Sequence, residues 1–260
     1  MQEEHNAIRL QRKFSGCAQL PRRAFTLVEL LAVITILVIL AGLLLPTLVG
    51  AKEKARRAAC KDHLRQFLLG AHMYANDNFG GLPSGLSENE NERDEHIPVV
   101  SAVTRRHLIQ YTGNARLLEC PNLMRPFNTQ QGWYYQEYGF VLGYNYLGGH
   151  GGTPWAAAEN YSKWVSPQTV NDDGALTLVT DINDWSPAYG KAFAPHGNHG
   201  PVIKDDSLGN NTGVASSQGI GAAGGNVGLL DGSVNWKSIR QMQNHPGSRL
   251  WGDNGCFAAW

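Results

Sequence analysis

The sequence is poor in cysteine and has no surplus of either charge. Its 260 residues hold four Cys, and Lys plus Arg match Asp plus Glu at 22 each. With no net positive charge, the chain lacks the basic surplus that general nucleic-acid binding wants, so no nucleic acid is expected as a partner. No Cys-x-x-Cys, Gly-rich phosphate loop or Ser–His–Asp order stands in a context that supports catalysis, and the chain reads as non-enzymatic. The plainest absence is of charge over one stretch. From Leu30 to Ala51, 22 residues, no side chain is charged. At about 1.5 Å of rise per residue, a helix of that length crosses the roughly 30 Å of bilayer hydrocarbon. No polar stripe recurs within it at helical spacing, which excludes the surface helix of a soluble domain. The run is too long for a secretory signal, and no small-residue cleavage site closes it. Cys17 follows no apolar run, so the chain shows no lipidation site there.

What charge there is falls unevenly. Residues 1–24 carry five Lys or Arg against two Glu, a net +3, which leaves −3 for the remainder. Arg9, Arg12, Lys13, Arg22 and Arg23 precede the apolar run, and Lys52, Lys54, Arg56, Arg57, Lys61 and Arg65 follow it. With both flanks basic, the positive-inside rule does not orient the span. One acid, Glu29, sits where the helix enters hydrocarbon, a position that costs several kcal/mol unless the carboxyl is paired or neutral. It has three candidate partners: interfacial water, Arg22 and Arg23, or a new amino terminus made by a cut just before Phe25.

Arg22-Arg23-Ala24-Phe25-Thr26-Leu27-Val28-Glu29, followed by the apolar run and Pro46, resembles the processing signal of type IV pilins and type II secretion pseudopilins. The resemblance implies cleavage between Ala24 and Phe25 by a prepilin peptidase, N-methylation of Phe25, and pairing of Glu29 with the amino terminus of a neighbouring subunit in a filament. The family usually has Gly before the cut; this chain has Ala24, another small residue. Pro46 falls where family members often carry a helix-bending Pro. The implied partners are the prepilin peptidase/methyltransferase, other pilin-like subunits and an inner-membrane assembly platform. The implied location is the bacterial inner membrane, single-pass, with the N-terminus cytoplasmic and the C-terminal domain periplasmic. The domains expected are a cleaved leader at 1–24, a transmembrane helix at 25–49, its continuation at 50–80 and a globular domain at 81–260.

Residues 52–78 contain no Pro and one Gly, Gly70, and Cys60, Leu64, Phe67, Ala71 and Tyr74 recur at spacings of four and three. That is one apolar stripe on a helix, ended by Asn76-Asp77-Asn78-Phe79-Gly80-Gly81. Tyr74-Ala75-Asn76-Asp77, with Leu82-Pro83 after the glycines, resembles a stretch in one branch of pseudopilin-like proteins. Beyond it, 30 Gly, seven Trp and nine Tyr suggest a loop-rich β domain. Residues 84–95 read as an acidic loop, 104–111 as a short helix, 117–121 as an apolar segment stopped by Pro121, and 134–146 as an irregular strand pair. Residues 176–181 and 226–230 read as core strands, with Asp231-Gly232 turning the second into a return strand at 233–236. Residues 205–225 read as a long surface loop. Asn226-Val227-Gly228-Leu229-Leu230-Asp231-Gly232-Ser233-Val234 resembles the hairpin of the processing-associated His-x9-Asp-Gly domain, although His196 and His199 lie farther upstream than that spacing. The expected fold class is therefore α+β and pilin-like: a long N-terminal helix packed on an antiparallel β-sheet domain with long loops.

Candidate chemistry is sparse. His196 and His199 with Asp181 and Asp231 offer imidazole and carboxylate to a divalent ion, weighed against plain hydrogen bonding, which we favour; no metal is expected. Asp172, Asp173, Asp205 and Asp206 with Asn210 and Asn211 offer oxygens that suit calcium, without EF-hand spacing; no cofactor is expected. Outside the cytoplasm a disulfide is expected to join Cys120 and Cys256, with Cys60 a packed thiol on the helix stripe. Two rival readings are a singly anchored domain that binds a ligand such as a glycan through its aromatics, and an anchored hydrolase using His196 or His199.

Overall fold

The computed structural model describes residues 25–89, 96–123, 132–135, 137–151, 164–198, 200–204, 217–247, 250–251 and 256–260. The chain divides into two units, Met1–Leu45 and Pro46–Trp260. Helix α1 (Leu27–Asp77, 51 residues) begins in the first and ends in the second. It starts and stops where its residue chemistry predicts, with Thr26 before it and Asn78 after it.

In the first unit every described side chain is exposed, large apolar ones included: Leu27 is 80% and Leu43 69% accessible. Water does not tolerate such a surface on all sides of a helix, and the segment is long and apolar enough to cross a membrane.

In the second unit α1 shows one buried face. Cys60, Leu64, Phe67, Leu68, Ala71 and Ala75 are each at most 1% exposed. The expected stripe holds through Ala71 and then runs on through Ala75. Tyr74 is only half-buried and packs its ring on His107 and Tyr111. The helix ends as Gly80 N–H donates to Ala75 O at 2.8 Å, with Phe79 and Gly80 at positive φ. Helix α2 (Ala102–Thr112) is capped by the Ser101 side chain at its start and by Gly113, φ 74°, at its end. A 3-10 turn follows at Ala115–Leu118.

Among the described residues there are twelve strands, in chain order β1 (Val99–Val100), β2 (Trp133–Tyr135), β3 (Gly139–Val141), β4 (Tyr144–Tyr146), β5 (Thr177–Asp181), β6 (Asp184–Ser186), β7 (Lys191–Ala194), β8 (Val202–Lys204), β9 (Gly224–Leu229), β10 (Val234–Ser238), β11 (Asn244–Pro246) and β12 (Phe257–Ala259). They form three sheets ordered β1-β3-β2, β10-β9-β5-β4 and β11-β12-β6-β7-β8, and each pairing between neighbours is antiparallel. The architecture is α+β and pilin-like, a long N-terminal helix followed by antiparallel sheets.

The four-stranded sheet carries the helix. Phe67 meets Tyr146 of β4 with ring centroids 5.6 Å apart, and Leu68 shares a core with Leu178 and Val179 of β5. The opposite side is covered too, since Val227 of β9 clusters with Leu147, Trp164, Ala258 and Trp260. Burial on both faces explains why β5 reads as a run with little alternation. The expected hairpin is present, with Asn235 opposite Val227 and Trp236 opposite Asn226.

Several expectations change. Residues 84–89 are tied down: Ser101 N–H donates to Leu86 O, Glu88 N–H donates to Tyr138 O, and the Glu88 carboxylate accepts from Ala102 N–H at 2.7 Å. Residues 90–95 lie outside the described residues. The long loop expected at 205–225 is shorter. Residues 217–220 form a 3-10 turn, Ala222 bridges to Gly197, and β9 already begins at Gly224; residues 205–216 lie outside the described residues. The expected strand pair at 134–146 divides between two sheets.

Gly70 permits the close approach of α1 and α2. A Cβ there would stand 2.6 Å from Thr112 Cγ2 and 3.2 Å from Thr112 N. Ala gains about 1 kcal/mol in helix propensity over Gly, against about 1–3 kcal/mol for overpacking. Gly70→Ala is therefore expected to lower the melting temperature, and Thr112→Ser in the same chain to restore part of the loss. Thermal melts of the three chains check this.

Candidate functional site

Two places carry chemistry. The first is the start of α1. Ala24 lies outside the described residues, and Phe25 is exposed just before the helix. Thr26 Oγ1 accepts from Glu29 N–H at 3.2 Å, while a Glu29 carboxylate oxygen accepts from Thr26 N–H at 2.9 Å and from its hydroxyl at 2.8 Å. This is a capping box, in which Thr and Glu three apart satisfy each other's backbone donors at a helix N-terminus. Within one chain, Glu29 thus has a local role as a cap. Pro46 falls within the span of α1.

The second place is a buried polar cluster in the second unit. Glu53, on α1 one turn past the apolar run, is 4% exposed. Its carboxylate accepts from Arg57 Nε at 3.1 Å, Asn122 Nδ2 at 3.1 Å and His196 Nδ1 at 2.9 Å. The Asn122 amide also donates to Pro195 O. Arg57 lies over the Trp236 ring, 4.3 Å from its centroid. His196 is fully buried two residues past β7, and its Nε2 lies 3.5 Å from Asp181 Oδ2, at the end of β5. Asp181 Oδ2 accepts from Asn226 N–H at 2.6 Å and from Asn226 Nδ2 at 2.9 Å. Cys60 Sγ and Cys120 Sγ complete the group, 2.6 Å apart. Gly143 makes room for this loop: a Cβ there would stand 2.3 Å from Cys120 N.

The charges respond to burial and to one another. Burial pushes the Cys60 thiol far up. Burial opposes the Cys120 thiolate as well, yet Cys60 and His196 beside it draw Cys120 below the ordinary thiol range. Burial works against a charged His196, but the Cys120 sulfur and the Asp181 and Glu53 carboxylates outweigh it and lift the ring to about 9. Burial also raises Asp181, against the pull of His196 and Asn226.

The structure brings together only part of what the residue types suggested. His196 and Asp181 meet, but Asp231 is exposed on the β9–β10 turn, where its carboxylate accepts from Ser233 N–H at 2.8 Å. His199 lies outside the described residues. Cys120 faces Cys60 on α1, so the expected Cys120–Cys256 pairing is replaced by a Cys60–Cys120 contact; Cys256 is buried just before β12. Asp172 accepts from Gln168 N–H, Thr169 N–H and the Thr169 hydroxyl, and Asp173 from Ala175 N–H. These carboxylates stabilise local turns. Asp205, Asp206, Asn210 and Asn211 lie outside the described residues.

Glu53, Asn122 and the place of Cys60 beside Cys120 escaped the reading of the sequence. One signal was available. Glu53 and Cys60 are seven residues apart, which places a lone acid among bases on the buried face of a helix.

Comparison with known families gives two matches. Residues 20–45 match the prokaryotic N-terminal methylation motif, and residues 50–138 match a family described as Protein of unknown function (DUF1559). The motif, the second match and the long apolar helix are together consistent with a type II pseudopilin or pilin. No curated protein and no solved structure matches the chain.

Removing one partner of a buried ion pair costs about 3–5 kcal/mol. Glu53→Ala is expected to destabilise the full chain by that order, and Glu53→Gln by less, in denaturant melts in detergent. Near the cluster, burial holds the half-buried Glu119 at about 7, against the pull of Arg105 and Arg116. A carboxyl raised in the folded state favours folding below its unfolded value, and that contribution fades as pH rises through about 7. The melting temperature should fall across that window, and Glu119→Gln should flatten the step.

Proposed function

We propose that this chain is a pseudopilin-like subunit of a type II secretion or type IV pilus-type filament. It is cut before Phe25 by a prepilin peptidase, N-methylated there, and held in the inner membrane by residues 25–49 until its helix stacks with others. The observation that carries the reading is the methylation motif at 20–45, standing at the head of a helix whose uncharged run, Leu30 to Ala51, is preceded by a single acid, Glu29.

The physical logic is charge compensation in a medium of low dielectric. Cleavage leaves a cationic amine at Phe25, four residues before Glu29. In lipid, a lone carboxylate and a lone ammonium each cost several kcal/mol. When two helices lie side by side with Phe25 of one against Glu29 of the other, both costs fall, and the pair sets the axial register. In the isolated subunit the capping box holds Glu29 in the meantime. The leader stays cytoplasmic, residues 50–260 lie outside, and an inner-membrane platform drives assembly.

The aromatic content favours this reading over a glycan-binding domain. Trp164, Trp185 and Trp260 are buried, and among the described residues the exposed large aromatics are Phe25, Phe79, Tyr134 and Tyr189, with no Trp. They pack against their own chain, as Trp185 does on Phe257 and Trp164 on Trp260.

Mass spectrometry of protein recovered from membranes checks the processing: the expected N-terminus is methylated Phe25. A chain retaining Met1 would overturn the reading. Glu29→Leu should still be cut and inserted but should drop out of cross-linked filaments, whereas an anchored binder would be indifferent. A C-terminal reporter fusion should be active only outside the cytoplasm.

A further inference from the structure

Four segments far apart in sequence deliver metal-ligating atoms to one buried point. The Sγ atoms of Cys60 and Cys120, a carboxylate oxygen of Asp181 and a ring nitrogen of His196 all lie within 4.8 Å of one another. All four residues are at most 1% exposed. We propose that Cys60, Cys120, Asp181 and His196 hold a structural zinc ion that fastens α1 to the β domain.

The donor set fits that ion. Two thiolates, an imidazole and a carboxylate around a small closed space make a tetrahedral site of the sulfur–nitrogen–oxygen kind that zinc takes. Two buried polar atoms have no hydrogen bond of good geometry, His196 Nε2 and Asp181 Oδ1. The 3.5 Å between Nε2 and Asp181 Oδ2 is too long for an N–H···O bond. A Glu53 carboxylate only accepts, so His196 Nδ1 donates to it and a neutral ring keeps its lone pair on Nε2, turned into the cluster. A carboxylate behind the far nitrogen of a histidine is the usual support of a metal-bound imidazole. Asn226 orients Asp181 in the same way, through two donors on Oδ2. A pocket of about 310 Å³, lined by His63, Arg116, Glu119, Cys120 and Pro121, has Cys120 in its wall.

A disulfide between Cys60 and Cys120 is the competing state. It uses the two sulfurs but leaves His196 Nε2 and Asp181 Oδ1 buried without partners, which is unfavourable for polar atoms cut off from water. Zinc satisfies all four groups. Two sulfurs on one zinc, each about 2.3 Å from it, stand about 3.8 Å apart. The sulfurs must therefore part from their 2.6 Å contact, a side-chain rotation at each Cys. The binding step is redox-neutral. Zinc exchanges its waters for two sulfurs, one nitrogen and one oxygen, and the protons of both thiols and of Nε2 on the charged imidazole leave for solvent. The inference does not depend on filament assembly.

The full chain, purified in detergent without added thiol or chelator, tests it by elemental analysis, thiol counting and intact mass. The expected result is about one zinc per chain, with Cys60 and Cys120 reduced yet unreactive until a chelator is added, and a lower melting temperature after chelation. A chain about 2 Da lighter, bearing a Cys60–Cys120 disulfide and no zinc, would overturn the proposal. Because Cys or His variants can fail to fold, cobalt exchange into the wild-type chain gives a second readout. Tetrahedral visible bands with a sulfur charge-transfer band are expected, and their absence counts against the site. Glu53→Gln should keep the bands but weaken metal affinity about 10–100-fold. Cys120→Ser, where folded, should lose intensity in the charge-transfer band, and an unchanged band would sink the assignment.

Discussion

A carboxylate taken below the protein surface must replace its water with donors, and Glu53 replaces it with three. Arg57 comes from the next turn of the same helix, Asn122 from the loop after the 3-10 turn, and His196 from the segment after β7. Meeting that one demand fixes three pieces of chain against one another. It also turns the His196 ring so that its other nitrogen faces Asp181 and the two cysteines. The register of α1 on its sheet follows from the same constraint, because Glu53, Cys60, Leu64, Phe67 and Ala71 share one face. A slip of one residue would take the acid away from its donors while moving Phe67 off Tyr146.

Two solvents shape α1. Its first part has an apolar surface all round and no charged residue after Glu29 until Lys52. Its second part buries one apolar stripe and is otherwise mostly polar, Leu69 and Met73 aside, which is what a helix shows when a single side packs on protein. The change of pattern falls within about two turns of Pro46, and the division of the chain into two units falls at that residue. Basic residues cluster just past the change, at Lys52, Lys54, Arg56 and Arg57, where anionic headgroups would meet them.

Much of this was legible from residues alone, wherever a pattern is local. The apolar run, the stripe at Cys60 to Ala71, the Asn-Asp-Asn-Phe-Gly-Gly stop and the Asp231-Gly232 hairpin each express a backbone or burial rule within a short window. The five-stranded sheet was not legible. Its strands are three or four residues long, and β6 reads Asp-Trp-Ser with all three residues buried, so no alternation marks it. The cluster was half legible. His196 and Asp181 stood out by residue type, but their company of Cys60 and Cys120 is set by tertiary packing. Sequence spacing holds no information on which thiol lies near which when about 60 residues intervene. Asp231 misled because a turn carboxylate and a ligand carboxylate look the same in one dimension.

The place of β12 has a consequence for the order of folding. Residues 257–259 lie between β11 and β6, so they close the middle of a sheet whose other strands begin at Asp184. Until they arrive, β6 exposes an unpaired edge and Trp185 lacks Phe257 against its ring. Such a long-range closure is slow compared with helix or hairpin formation. A chain that emerges helix first must therefore keep that sheet open until residues 257–259 follow.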